Sequence, residues 1–363
     1  MIDASLRGLG ASSVVHDDVA SLIERLAPQL AAMTGARVLV AGGGGFLLSM
    51  LVDTLVGFND ASGEPAIHVT VADNFSTGST ARLAHLEGRA DFTPLQADVT
   101  RPLQLEEPSD YVVHGASIAS PVIYRQFPVE TIEANVWGTR NLLDHARRSA
   151  ARSFVFMSSS ETYGDPVASA IPTPETYPGN VSCTGPRACY DESKRLGETL
   201  TLAFAQQHGI SAKIVRPFNV YGPRLSLEDG RIVPDLLRDA LAGGPLRLFS
   251  DGRATRSFCY ATDQIDGIVR VLASDHAGEA FNIGNDEECS IRSLAEVLAD
   301  VSGGALSIVH ETHDDPQYLT DNPNRRCPDL TKSREMLGYA PSVDLRSGLE
   351  RTLRHYRQQP DAP

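Results

Sequence analysis

Tyr190 and Lys194, spaced as Tyr-Asp-Glu-Ser-Lys, are the pair in this sequence best suited to moving a proton. On a helix, positions i and i+4 share one face, so the phenol and the ammonium project side by side. A positive charge beside a phenol lowers its pKa, and Tyr190 could then take a hydroxyl proton while a hydride leaves the same carbon. Upstream, Met157-Ser158-Ser159-Ser160-Glu161-Thr162-Tyr163-Gly164 follows an apolar run and offers hydroxyls and a carboxylate. Hydroxyls at the carboxyl end of a parallel strand stand where such sheets bind ligands. Both patterns have ordinary counterparts: many helices carry Tyr and Lys at this spacing, and serine-rich runs also cap strands.

A second signal is Gly42-Gly43-Gly44-Gly45-Phe46-Leu47-Leu48, directly after the apolar run 37–41. Glycines between a strand and a helix let the backbone turn sharply and approach a pyrophosphate at the helix N-terminus. Gly42 and Gly45 fit a G-x-x-G spacing, and Leu48 stands where a third glycine is expected. A plain tight turn fits the cluster equally well. The next strand ends in Asp73, at the distance where a carboxylate binds adenosine ribose hydroxyls. Asp73 would repel the extra phosphate of NADP, which favours NAD. Asp98-Val99, after a further strand, would flank the adenine.

These groups need a scaffold, and the apolar pattern supplies one. Short buried runs at 37–41, 67–71, 92–96, 111–113, 153–157 and 213–215 alternate with helical stretches at 46–56, 131–149 and 190–208. Such alternation predicts βαβ units: an α/β fold with a Rossmann-like, doubly wound parallel sheet. After about Pro223 the pattern breaks into loops, helices and isolated strands, predicting a smaller C-terminal substrate-binding portion. Residues 1–35 read as an N-terminal helical extension, 36–223 as the NAD-binding domain and 224–363 as mainly substrate-binding. In the extension, Leu22, Ile23, Leu26 and Leu30 predict a helix over 17–33 with Asp17 or Asp18 as N-cap.

Composition narrows the function classes. With 46 acidic against 32 basic residues the formal net charge is −14, which argues against a nucleic-acid surface. A few local arginines can still hold phosphates inside an acidic protein. Five scattered cysteines without a C-x-x-C pair suggest neither a disulfide framework nor structural zinc. His310, His313, Asp314 and Asp315 lie in a polar, loop-like segment and read as solvated surface, so no metal is expected. The sequence shows no signal peptide and no apolar run of membrane-spanning length, so a cytoplasmic, membrane-free setting is the expectation.

From about residue 36 to 356 these motifs, in order, resemble the extended short-chain dehydrogenase/reductases that act on nucleotide sugars. The resemblance rests on Gly42–Leu47, Asp73-Asn74-Phe75, His114-Gly115-Ala116-Ser117, Ser158–Gly164 and Arg216–Arg224. More narrowly, Gly185-Pro186-Arg187-Ala188-Cys189-Tyr190-Asp191-Glu192-Ser193-Lys194-Arg195, Asp229-Gly230-Arg231 and Thr255-Arg256-Ser257-Phe258 are similar to UDP-glucuronate decarboxylases, the UDP-xylose synthases. The resemblance implies that Tyr190, Lys194 and Ser159 are catalytic. It places Ser160 and Glu161 where decarboxylases carry Ser-Glu and 4,6-dehydratases carry Asp-Glu. Arg326 would meet the sugar carboxylate, and Tyr124, Asn219, Arg231, Arg256 and Tyr260 the rest of the substrate. The cofactor would be held by Gly42, Gly45, Phe46, Leu47, Asp73, Asn74, Phe75, Thr77, Gly78, Asp98, Val99, Gly115 and Ser117, with Tyr190 and Lys194.

The implied reaction oxidises C4, loses CO₂ from the resulting β-keto acid, and re-reduces C4, so NAD would stay bound. A 4-epimerase or 4,6-dehydratase of the same fold is the alternative, and a weakly active NAD-binding regulatory protein a third reading. A homodimer is implied through the helices at 131–149 and 190–208, with Ile132, Val136, Leu142 and Leu143 as its apolar residues. The departures from the family pattern are Leu48, an apparent insertion at 317–324, and the N-terminal extension.

Overall fold

The computed structural model describes residues 13–358 apart from 64, 106, 305, 314–319, 321 and 322. Its centre is a parallel sheet. The first six strands are β1 (Arg37–Ala41), β2 (His68–Asp73), β3 (Phe92–Gln96), β4 (Tyr111–His114), β5 (Ser153–Met157) and β6 (Ala212–Pro217). A seventh, Ala280–Ile283, joins from the far C-terminal part, giving the spatial order β3-β2-β1-β4-β5-β6 and then Ala280–Ile283. All neighbours run parallel. Pro94, which has no N–H for a ladder, lies on edge strand β3.

Side chains alternate across a strand, so a sheet covered on both faces needs apolar residues at every position. Val38 and Val40 of β1 enter one core, which takes Met50, Leu51 and Leu55 of the helix Phe46–Ser62 and Ile265, Ile268 and Val269 of a later helix. Leu39 and Ala41 enter the other, with Leu142, Leu143 and Ala146 on one covering helix and Phe204 on another. The strand order reverses between β1 and β4, which leaves a crevice at their carboxyl ends.

Helix α1 (Ser13–Arg25) and helix α2 (Ala27–Ala31) form the extension, followed by α3 (Phe46–Ser62), α4 (Pro121–Gln126), α5 (Pro128–Arg148) and α6 (Ala188–His208). After these come α7 (Ile232–Leu241) and α8 (Ala261–Ala273). Three further helices complete the described chain, and α7, Ile291–Val301 and Leu345–Gln358 bury their own core of Leu236, Leu294, Leu298, Leu349 and Leu353. The chain beyond 223 therefore builds that core and also sends α8 and Ala280–Ile283 back to the central sheet.

Two expectations are corrected here. The extension is not one helix capped by Asp17 or Asp18. It breaks before Pro28, whose missing N–H suits a first helical turn, and Asp18 lies inside α1, almost wholly buried. Asp18 accepts from the Tyr260 hydroxyl at 2.6 Å and from Arg351 at 3.1 Å. Second, Val136, Leu142 and Leu143 of α5 face this chain's own core. The large apolar residues left exposed on α5 and α6 are Val129, Ile132, Trp137, Leu196 and Leu202.

Asp314, Asp315 and most of 317–324 lie outside the described residues. Among the described residues no cluster of three or more metal-binding side chains occurs. The five cysteines are free, and no described helix is long and apolar enough to cross a membrane.

Burial raises Asp18 from 3.8 to about 6 against the lowering by Tyr260 and Arg351. A carboxyl raised on folding contributes stability while protonated and loses it as pH rises between the unfolded and folded values. Wild type should therefore lose stability relative to Asp18→Asn between about pH 4 and pH 6, with a constant difference above. Melting temperatures of both proteins at pH 4, 5, 6 and 7 test this; a pH-independent difference would mean an ordinary carboxyl.

Candidate active site

Tyr190, Lys194 and Glu198 line one face of α6, at i, i+4 and i+8. The face lies close on β5 because Gly197 leaves room: a Cβ there would come within 2.4 Å of the Phe156 ring. Three consecutive residues at the end of β5 then meet the three helix residues. The Met157 carbonyl accepts from Lys194 Nζ at 2.7 Å, and the Ser158 hydroxyl donates to Glu198 at 2.5 Å. The Ser159 hydroxyl is hydrogen-bonded to the Tyr190 phenol. Arg216 of β6 fixes Glu198 from the other side through Nε at 2.8 Å and Nη2 at 2.6 Å.

The electrostatics differ from the expectation that Lys194 depresses Tyr190. Burial pushes the phenol up to about 12, with the Ser159 bond opposing. Burial also pulls Lys194 down to about 7, with the Glu198 charge opposing. Desolvation outweighs the pairing, and Lys194 Nζ stands 5.6 Å from the Tyr190 ring centre. Sequence reading missed Glu198 and Arg216; the run Tyr190, Lys194, Glu198 at helical spacing was the available signal.

Beyond Tyr190 opens a cavity of about 720 Å³. Of the expected substrate residues, Tyr124, Asn219, Arg231, Arg256 and Arg326 line it together with Ser159, Glu161 and Tyr190. Tyr124 stacks on Tyr190 with ring centres 5.2 Å apart. Ser160 is buried behind this wall, and Tyr260 is not in it, because its ring is enclosed and its hydroxyl points at Asp18. Arg125, Arg187, Arg253 and Arg325 also face the cavity, giving seven arginines against the carboxylates Glu161 and Asp251 among the described lining residues.

Glu161 leads the short turn Ser160–Tyr163, whose start is capped by Ser159 Oγ accepting from the Glu161 N–H at 3.2 Å. Arg326 grips its carboxylate with both Nη atoms at 2.5 and 2.6 Å, and Arg187 adds a contact at 2.7 Å. Burial alone would raise Glu161, but the two guanidiniums outweigh it and hold the carboxyl well below its usual range. Arg256 donates to the carbonyls of Thr255, Asn324 and Pro323, and burial with neighbouring Arg326 pulls it down to about 9. A cation lowered this way gains from an incoming anion.

A second cavity, of about 330 Å³, lies over the carboxyl ends of β1, β2 and β4. Gly42, Gly45, Asp73, Asn74, Thr77, Gly78, Asp98, Val99, Gly115 and Ser117 line it. Phe46, Leu47 and Phe75 do not; their side chains pack against the core below. Asp73 already accepts from the Gly44 N–H at 2.9 Å and the Phe75 N–H at 2.7 Å, so it shapes the turn as well as facing the cavity. Gly42, at φ +86°, brings the backbone so near Ala116 N that a Cβ would lie 2.6 Å away. The glycine turn, the opening of α3 and a carboxylate at the end of β2 fit a dinucleotide.

Residues 38–284 match the NAD dependent epimerase/dehydratase family. The chain belongs to that family. Among its epimerase/dehydratase relatives, UDP-glucuronic acid decarboxylase 5 of Arabidopsis thaliana is 43% identical over 86% of this chain and 87% of its own length. UDP-glucuronic acid decarboxylase 1 of Xenopus tropicalis is 39% identical over 89% and 72%. Of solved family structures, dTDP-glucose 4,6-dehydratase of Streptomyces venezuelae with NAD bound is 28% identical, with a TM-score of 0.77 over 89% of this chain and 97% of that one. UDP-glucuronic acid 4-epimerase of Bacillus cereus, in complex with UDP-glucuronic acid and NAD, is 27% identical, with a TM-score of 0.73 over 89% and 99%.

Leu48 now has an explanation. Its Cδ1 lies over Gly115, where a Cβ would be only 2.4 Å away, so one glycine after β4 makes room for the missing glycine of α3. Gly115→Ala should cost roughly 1–3 kcal/mol by overpacking and reduce co-purified cofactor. Beside Leu48→Ala the same change should cost close to nothing, which a double-mutant cycle of melting temperature and cofactor content measures. Equal costs in both backgrounds would separate the two residues.

Proposed function

We propose that this protein is a UDP-glucuronate decarboxylase that uses NAD and releases UDP-xylose. The observation that carries the reading is Arg326, part of an arginine-rich wall beside Tyr190 and paired with Glu161, in a chain about 40% identical to UDP-glucuronic acid decarboxylases. A sugar with a diphosphate and a carboxylate matches a cavity with seven arginines.

Gly42, Gly45, Asp73 and Gly115 would hold NAD, whose chemistry when bound is to accept a hydride from sugar C4 and give it back. The Tyr190 phenolate, which has to form against the burial that raises its pKa, accepts the C4 hydroxyl proton; the Ser159 hydroxyl and the Lys194 ammonium favour that ionised form, and Glu198 supports the charge of Lys194. Arg326 orients the sugar carboxylate, which is β to the new ketone. The C5–carboxyl bond then breaks, CO₂ departs, and the electron pair enters the C4 carbonyl. Tyr190, hydrogen-bonded to that oxygen, stabilises the enolate until C5 is reprotonated. Residues 36–223 hold the cofactor and also supply Tyr124, Ser159, Glu161, Tyr190 and Asn219 to the substrate cavity, while 224–363 mainly serve the substrate, through Arg231, Arg256 and Arg326.

The protein works in the cytoplasm as a homodimer. Exposed Val129, Ile132 and Trp137 on α5 and Leu196 and Leu202 on α6 supply the apolar surface for a two-fold helical interface. Light scattering should give twice the chain mass, and Trp137→Asp a single chain; a monomeric wild type would end this part of the reading.

Incubation with UDP-glucuronate should release CO₂ and leave a pentose nucleotide. Tyr190→Phe should lower the rate by roughly 10²-fold or more, with bound cofactor retained. A C4-inverted uronate formed without CO₂ would replace the decarboxylase by an epimerase.

A further inference from the structure

Glu161 has more positive charge around it than a single carboxylate needs. Arg326 reaches it as a two-pronged fork from strand Arg325–Arg326, in the C-terminal part of the chain. Arg187 reaches it from the residue that precedes α6, the helix of Tyr190. That position is fixed by the helix itself, since the N–H groups of Tyr190 and Asp191 both donate to the Arg187 carbonyl at 3.0 Å. The two cations therefore come from separate parts of the fold, one tied to the tyrosine helix and one to the substrate side.

The same wall holds three buried polar atoms without a hydrogen-bond partner in the described structure: Nε of Arg187, Nε of Arg326 and the Tyr124 hydroxyl. Around Glu161 stand Arg187, Arg326, Arg231 and Arg256, with the phenols of Tyr124 and Tyr190, and Asp191 lies 3.9 Å from Arg187. One anion between two close guanidiniums leaves room for a second anion.

We propose that Arg187 is a positioning residue that keeps Glu161 ionised and in place when the sugar carboxylate takes Arg326. This rests on the decarboxylase reading. Two carboxylates sharing one guanidinium would behave as a like-charge pair, and one of them would take up a proton. With Arg187 present, Glu161 keeps a guanidinium in direct contact while Arg326 meets the sugar carboxylate, and it stays charged through turnover. Because Arg187 shares a helix start with Tyr190, the same contact sets the distance between the carboxylate and the phenol.

The test is Arg187→Gln in the NAD-loaded enzyme, with CO₂ release from UDP-glucuronate followed across pH. KM should change by less than about threefold, because Arg326 still meets the sugar, while kcat at neutral pH falls roughly tenfold or more. The acidic limb of kcat should move up by about one pH unit as Glu161 becomes easier to protonate. Arg187→Lys keeps the cation and should restore both readings to within about threefold. Glu161→Gln should lose the limb, and adding Arg187→Gln to it should cost nothing more.

An unmoved limb overturns the proposal. So do additive losses in the double variant, or a loss of kcat that follows melting temperature and cofactor content alone. A wild-type enzyme that releases no CO₂ overturns the decarboxylase reading, and the proposal with it. An active wild type with an unshifted Arg187→Gln profile overturns the proposal only.

Discussion

The close seat of α6 on β5 is the contact from which the rest of the site follows. Gly197 lets the helix backbone come down on the Phe156 ring, and only at that distance can Met157, Ser158 and Ser159 each reach their partner on the helix. A side chain at 197 would lift all three contacts together. The same seat sets the start of α6, and so the place from which Arg187 reaches Glu161. Phenol, ammonium, hydroxyl and carboxylate are held by one helix–strand pair, with β6 bracing it through Arg216.

Around that pair the protein, acidic as a whole, concentrates positive charge at one place. Buried guanidiniums are costly unless paired or satisfied by polar groups. Here the cost is met in different ways: Arg326 and Arg187 by Glu161, Arg231 by Asp229, and Arg256 by backbone carbonyls. The net charge of −14 thus says little about the ligand, because what counts is the local sign within the cavity.

Much of this was legible in the sequence, for reasons that differ by residue. Apolar runs of strand length placed all six strands through β6 to within a residue or two at each end, because a sheet buried on both faces leaves no other pattern. Tyr190 and Lys194 could be read because their partnership is local, set by the helical repeat. Glu161 and Arg326 are 165 residues apart, and no periodicity reports that they meet. Tyr260 looked like a substrate contact and proved to be held by Asp18, a residue 242 positions earlier. Val136, Leu142 and Leu143 are buried in this chain's own core although the sequence suits an interface equally well, because an apolar stripe does not say which of two partners it faces.

The seating of α1 bears on how the chain acquires its structure. The helix nearest the amino end buries Leu22 and Ile23 against α3 and α8, and its Asp18 is bonded to residues 260 and 351. Contacts of such sequence separation carry a large loop-closure cost and form late. Because its partners come so much later in the chain, α1 must wait, with its apolar stripe uncovered, until residue 351 has been synthesised.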